Sequence, residues 1–552
     1  MEDTVTDTLG AHAAIDPAPW EALVTTALLG TDRRTPPPEV LAASPAAGDP
    51  AVALLDAAAV HTVRRRAGLL PAVAAARPEP APRDDRPALP EPARHRLEQL
   101  LADRAAPSSG GRRGVAPDLT ELLPQWLSTA GEQGFRAPSA LLPALLDAAR
   151  ARTDLRPRTL AFAGARGLWL ARFNPDWRFA LRGTAGGGAV LPELSAMDEV
   201  RALWEEGLFT ERVALLAAVR AEDPARGLEL LTGTWPTERA EDRLMFLDTL
   251  RTGLSPEDEP FLERTLADRS RNVRTAAAEL LSALPQSALA GRMARRAASC
   301  VGPDHGGAGA GIAVEAPHEC DADMQRDGVT PTPPTGRGKR SWWLGQLVEA
   351  APLATWTRRF AGRAPEEIVG LPVADGWREE LHAAWCRAAV RQADAAWSRA
   401  LLGPPGIPPE SGPGTASLAE RARLLETLPA DERGRWVAEF IAAHGLSEAF
   451  QLLGVCSVPW PEPLGRAVVD ALGTARAGGS YPWSFSGVMG LAERCLHPSA
   501  ADRLEPLTAD HPIGAEGAPA GAGGYWAEAF QRLVSTLRLR EAMHRELTGS
   551  AP

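Results

Sequence analysis

Two short stretches carry the side chains best suited to recognition chemistry. Thr31, Asp32, Arg33 and Arg34 follow Gly30 at the end of an apolar run and precede Pro36-Pro37-Pro38. A glycine just past the last helical residue closes a helix. The four residues after it form either an exposed loop whose arginine pair binds a carboxylate or phosphate, or a cap with a solvated arginine pair tied by Asp32. The second stretch, Arg166 to Trp177, sets Trp169, Phe173 and Trp177 around Asn174-Pro175. Trp and Arg anchor many protein interfaces. Arg166, Trp169, Asn174 and Trp177 are therefore candidate partner-binding residues, together with Thr31, Asp32, Arg33 and Arg34. The competing reading buries both tryptophans at a helix end and makes Asn174-Pro175 the turn.

Patterns for catalysis or cofactor binding are missing. Gly183 to Gly188 and Gly306 to Gly311 are glycine-rich, but neither ends in the Gly-Lys-Ser/Thr that a phosphate loop needs, and Lys339 is the sole lysine. His305, His318, Cys320, Asp321 and Asp323 match no metal-ligand spacing. The 5 cysteines form no CxxC pair. The carboxylates after Pro256 and Pro365 suit helix first turns, where they complement the dipole. No catalytic, cofactor-binding or metal-binding residue is assigned, and a non-enzymatic protein is expected. The basic stretches Arg64 to Arg66, Arg292 to Arg296 and Arg337 to Arg340 keep an alternative open, a DNA- or RNA-binding protein of repair type. Acidic residues number 70 against 59 basic, and the net charge of −11 makes nucleic acid an unfavoured partner.

The elements that must position these residues read as helices almost throughout. Alanine and leucine dominate, and β-branched runs of period two are hard to find. Trp377, Leu381, Trp385 and Ala388 make one stripe at helical spacing, and Val52, Leu55, Ala59 and Val63 another. The middle of the chain repeats. Arg212, Arg243 and Arg274 head three similar helices 31 residues apart, and the apolar residues three, four and seven positions after each arginine correspond. Pro224, Pro256 and Pro285 follow these helices. Each unit is then a helix pair that buries its apolar face only by stacking on the next. Leu266 to Leu281 resembles the HEAT-repeat signature. That resemblance implies that Asp268 caps the turn, Val273 is buried and Arg274 joins a polar ladder along the stack.

The expected class is all-α, a HEAT-like helical-repeat solenoid with flanking helical domains. Composition breaks suggest an N-terminal helical domain over 1–150, repeats over 151–301, a flexible linker over 302–340 and a C-terminal helical-repeat domain over 341–552. The acidic start and the lack of a long apolar run predict neither a secretory signal nor a membrane span. With unpaired cysteines, this suggests a reduced cytoplasm.

Three further stretches carry a wider resemblance: Trp20 to Arg34 with Leu54 to Val60, Gly164 to Trp177, and Ser341-Trp-Trp-Leu-Gly-Gln-Leu-Val running to Trp356. Together they resemble an uncharacterised actinobacterial domain-of-unknown-function family, typically encoded beside a MoxR-type AAA ATPase, a von Willebrand factor A protein and a SWIM zinc-finger protein. The resemblance implies a place in such a system, with the ATPase or the von Willebrand factor A protein as partner. It carries no activity. The expected role is a non-catalytic adaptor or scaffold that binds protein partners through a helical-repeat surface.

Overall fold

The computed structural model describes residues 18–35, 49–67, 78–105, 117–182, 194–304, 311–408, 414, 417–509 and 522–549. The chain divides into two units, 1–80 and 81–552. Among the described residues the secondary structure is mostly helical, so the protein is all-α. No described helix is long and apolar enough to cross a membrane.

The first unit holds α1 (Ala18–Leu29) and α2 (Pro50–Ala67). Leu23 and Ala57 meet at the centre of the pair, with Trp20, Ala22 and Leu54 around them.

The second unit opens with α3 (Glu91–Ala105), α4 (Leu119–Glu132), α5 (Leu142–Ala151), α6 (Arg156–Ala171) and α7 (Arg178–Arg182). The repeated stretch follows as α8 (Met197–Glu206), α9 (Phe209–Glu222), α10 (Pro224–Thr234), α11 (Ala240–Thr249), α12 (Glu259–Thr265), α13 (Arg271–Ser282) and α14 (Ala288–Cys300). A hairpin of β1 (Val301–Asp304) and β2 (Gly311–Val314) leads to α15 (Ala322–Arg326). Next come α16 (Lys339–Ala350), α17 (Ala354–Arg359), α18 (Pro365–Val369), α19 (Arg378–Arg391) and α20 (Ala395–Leu402). The last are α21 (Leu418–Glu426), α22 (Ala430–His444), α23 (Leu446–Leu453), α24 (Glu462–Ala477), α25 (Ser486–Cys495), α26 (Ala500–Leu504) and α27 (Ala522–Thr548).

The repeat spacing has a direct structural cause. Leu215, Leu216 and Val219 on α9, Phe246, Leu247 and the adjoining Leu250 on α11, and Ala277, Ala278 and Leu281 on α13 are all buried. Arg212 pairs with Glu238, Arg243 with Asp268, and Arg243 also donates to the Glu238 carbonyl. Arg274 donates to the Asp268 carbonyl at 2.7 Å, while the Asp268 carboxylate accepts from the Ser270 amide. The period thus sets one apolar column and one polar ladder on successive helices. Val273 is fully buried. Pro224 opens α10 with the Asp223 side chain capping it, and Ser287 takes the cap of α14 beyond Pro285.

A continuous core runs from Val200 on α8 to Leu537 on α27 and includes Trp356, Trp385, Trp397 and Trp526. The stripe on α19 enters it, with Leu381, Trp385 and Ala388 buried. A second core joins Leu97, Trp126 and Phe162 to Met543 and Leu547, so the last helix packs on the first two of its unit. Arg96 and Glu546 pair across that contact through two hydrogen bonds.

The segment over 302–340 departs from the expected flexible linker. Ile312, Ala316, Met324 and Val329 enter the main core. The Asp327 side chain is fully buried and accepts from Arg292 and Arg296 of α14. Gly328, at φ +92°, lies so close to Ala278 that a Cβ there would stand 2.5 Å from the alanine methyl. A few spaced apolar residues and one buried carboxylate hold a segment whose average composition reads as loop.

Candidate functional site

The four candidates after α1 lie in a turn closed by Gly30 at φ +83°. The Arg33 and Arg34 amides both donate to the Gly30 carbonyl at 3.1 Å. Asp32, Arg33 and Arg34 are exposed, and none forms an ion pair among the described residues, so the expected tie through Asp32 is not made. The turn presents two guanidinium groups to solvent with no ion pair among the described residues.

The same helix pair also exposes apolar side chains, which the sequence does not mark. The stripe of Val52, Leu55, Ala59 and Val63 on α2 faces outward, with Leu55 70% and Val63 65% exposed. On α1, Val24, Leu28 and Leu29 are also exposed, Leu28 to 81%. The pair buries the opposite face of α2 instead, through Ala53 and Ala57. Helical periodicity locates the apolar face, and α1 does not cover it.

The second candidate group splits. Trp177 is only 8% exposed and donates its indole N–H to Asp147 at 2.9 Å, so it serves the core rather than a partner surface. Asn174 accepts from the Asp176 amide at 3.0 Å and forms the turn. Trp169 is half-buried and packs edge-on against Phe173, which is 54% exposed. Arg166 reaches Ser139 at 3.4 Å. Of this group Arg166, Trp169 and Asn174 are half-buried and retain some outward surface, beside exposed Phe173, whereas Trp177 does not.

Most other groups that could do chemistry are used within the fold. Burial pushes the Cys386 thiol up to about 12 and the Cys456 thiol to about 11, which suppresses the nucleophilic thiolate. Asp321 caps α15 by accepting from the Met324 amide, Asp323 pairs with Arg326, and His318 sits 3.6 Å from Glu315. His305 and the stretch from Gly183 to Gly188 lie outside the described residues. No cluster of three or more metal-ligating side chains occurs among the described residues.

Two of the three basic stretches are engaged within the fold, while Arg66 of the third is exposed. Arg292 and Arg296 hold Asp327, Arg340 donates to the Ala316 carbonyl, and Arg337 stands 3.4 Å from Glu380. The conspicuous Trp342-Trp343 pair has the same kind of role, with indole N–H groups given to the carbonyls of Thr330 and Pro331 at 2.8 and 2.9 Å. Gln346 clasps the Thr330 amide and carbonyl, and Gln392 does likewise around Pro352 through Leu353 N and Ala351 O. Asp258 does sit in the first turn after Pro256, where it accepts from the Ser255 amide, and it is also buried against Arg220. An arginine directly after the apolar run Val213 to Val219 was the available signal for that pair.

The model of a family of unknown function, DUF5691, matches residues 22–547. No curated protein matches the chain.

Proposed function

The chain belongs to the DUF5691 family, whose function is unknown, and from that premise we propose that it is a non-catalytic adaptor. In this reading a HEAT-like helical-repeat scaffold carries a docking face made by α1 and α2 with the Arg33-Arg34 turn. One observation carries the proposal: on this helix pair the apolar stripe Val52, Leu55, Ala59 and Val63 lies at solvent, as do Leu28, Leu29 and an arginine doublet that forms no ion pair among the described residues. A large apolar side chain gains about 1.5–3 kcal/mol on full burial. Several such residues around cationic groups suit a partner with an apolar patch and an acidic rim. The ladder through Arg212, Arg243 and Arg274 supports the repeat scaffold, although its 31-residue period is short for HEAT units.

The resemblance to the MoxR-associated family suggests the partner, a MoxR-type AAA ATPase or a von Willebrand factor A protein, in the cytoplasm. A DNA- or RNA-binding role has less support, because Arg292, Arg296 and Arg340 are bonded within the fold. The test is affinity capture of the full chain from its native host at moderate salt after nuclease treatment. Recovery of the ATPase or the von Willebrand factor A protein in stoichiometric amount, lost in the doubly charge-reversed Arg33→Glu, Arg34→Glu protein, is the expected result. Recovery of the chain alone, with nucleic acid abundant before nuclease, overturns it in favour of nucleic-acid binding.

A further inference from the structure

A cavity of about 730 Å³ opens in the second unit where α4, α6, α25 and α27 approach one another. Its wall is unusual in charge. Arg158, Arg494, Arg540, His497 and His544 line it, against the single carboxylate of Glu132. The arginines are only partly used. Arg158 is exposed with no ion pair among the described residues, and Arg494 makes one long contact with Glu121 at 3.4 Å. Arg540 gives Nη1 to the carbonyls of Glu493 and Leu496 and has no carboxylate partner among the described residues. Burial without a counter-ion pulls its guanidinium down to about 10. A desolvated arginine lacking an anion is costly to the fold on its own, since a buried charge is stable chiefly when paired.

The remainder of the wall is apolar or a neutral donor. Met543, Leu547 and Val458 contribute hydrocarbon. Trp126, 1% exposed, also lines the cavity. The volume exceeds what inorganic phosphate needs and lies within the range of small-molecule sites.

We propose that this cavity is a binding site for an organic anion, a phosphate or carboxylate head held by Arg540 and Arg158 with an apolar body against Trp126, Met543 and Leu547. The guanidinium fork suits both head groups. The site is in 81–552 and the proposed docking face is in 1–80, so either can fail without the other.

The experiment is fluorescence titration of the full chain with 8-anilinonaphthalene-1-sulfonate, an anion with an aromatic body, followed by displacement with AMP and with decanoate. Saturable binding that weakens about tenfold in Arg540→Met, the scale of one lost charged hydrogen bond, is expected. Arg540 also caps two carbonyls, so Arg158→Ala, at an exposed side chain, provides the variant that keeps its fold; it is expected to weaken binding several-fold. Displacement by AMP identifies a phosphate head, and displacement by decanoate a carboxylate head. Binding unchanged in Arg158→Ala, displacement by neither competitor, or no saturable binding to folded protein overturns the proposal.

Discussion

Arg220 and Asp258 form a bidentate ion pair sealed from solvent, with Nη1 to Oδ1 at 2.8 Å and Nη2 to Oδ2 at 3.0 Å. The remaining guanidinium hydrogens are donated to the carbonyls of Thr252, Leu250 and Pro224. The pair fastens α9 to the loop after α11 and to the turn before α12. Gly227 and Gly253 give it room, since a Cβ on Gly227 would lie 2.6 Å from Arg220 Cδ, and one on Gly253 2.6 Å from Pro224 Cγ.

Removing one partner leaves a buried charge uncompensated. Asp258→Ala is expected to cost about 3–5 kcal/mol, whereas a double replacement with apolar residues of similar volume costs less. Chemical denaturation of the three proteins checks this; a double variant as unstable as Asp258→Ala contradicts it.

Gly164 bends α6 at φ +59°, and Arg86 fills the opening by donating to the carbonyls of Ala161 and Phe162. A Cβ at Gly164 would stand 2.3 Å from Arg86 Nη2. Gly164→Ala is therefore expected to expel Arg86 as well as strain the backbone, costing about 1–3 kcal/mol. Adding Arg86→Ala should then cost little more, because both changes break the same contact. Thermal melts of both single variants and the double variant test the coupling, and additive losses contradict it.

The Arg86 guanidinium bound to Asp84 holds that carboxyl below its ordinary value of 3.8, with burial acting in the opposite direction. A depressed folded-state pKa means that the pair stabilises the fold fully above the unfolded value near 3.9 and loses that stabilisation as pH falls through the lower folded value. Asp84→Asn should show a smaller stability loss than the wild type as pH is lowered from 5 to about 2. Equal pH dependence of the two proteins contradicts this assignment.

Asp327 is the polar anchor of 302–340, held by Arg292 and Arg296. Asp327→Ala is expected to expose the stretch from Val329 to Gly338 to limited proteolysis while most helical circular dichroism remains. Resistance equal to wild type would show that Ile312, Met324 and Val329 suffice to hold the segment.

Helices α9, α11 and α13 are legible in the sequence because their matched spacing sets both the buried apolar residues and Arg212, Arg243 and Arg274 at corresponding positions. The all-α class follows from the same periodicity. The segment holding Asp327 is not legible, because its four core contributors are scattered among Gly, Pro and Asp and show no period. The direction of the α2 stripe is hidden for another reason. Spacing identifies an apolar face, but Val52 and Leu55 carry no mark of whether the chain itself covers them. Trp177 illustrates the same limit in reverse: type and neighbours suit an interface, yet Asp147 accepts its indole N–H in the interior. The cavity around Arg540 joins residues more than 400 positions apart, from Trp126 to His544, which no local motif records.

The most direct test of the adaptor proposal is quantitative capture of the AAA ATPase or von Willebrand factor A partner by the wild type and by the doubly substituted Leu28→Ser, Leu55→Ser protein. Both leucines are exposed, so surface substitutions there should leave the melting temperature almost unchanged. Loss of at least about tenfold in partner affinity, the scale of one lost apolar contact at an interface, is the predicted result. Undiminished capture by a normally folded variant would contradict the assignment of α1 and α2 as the docking face.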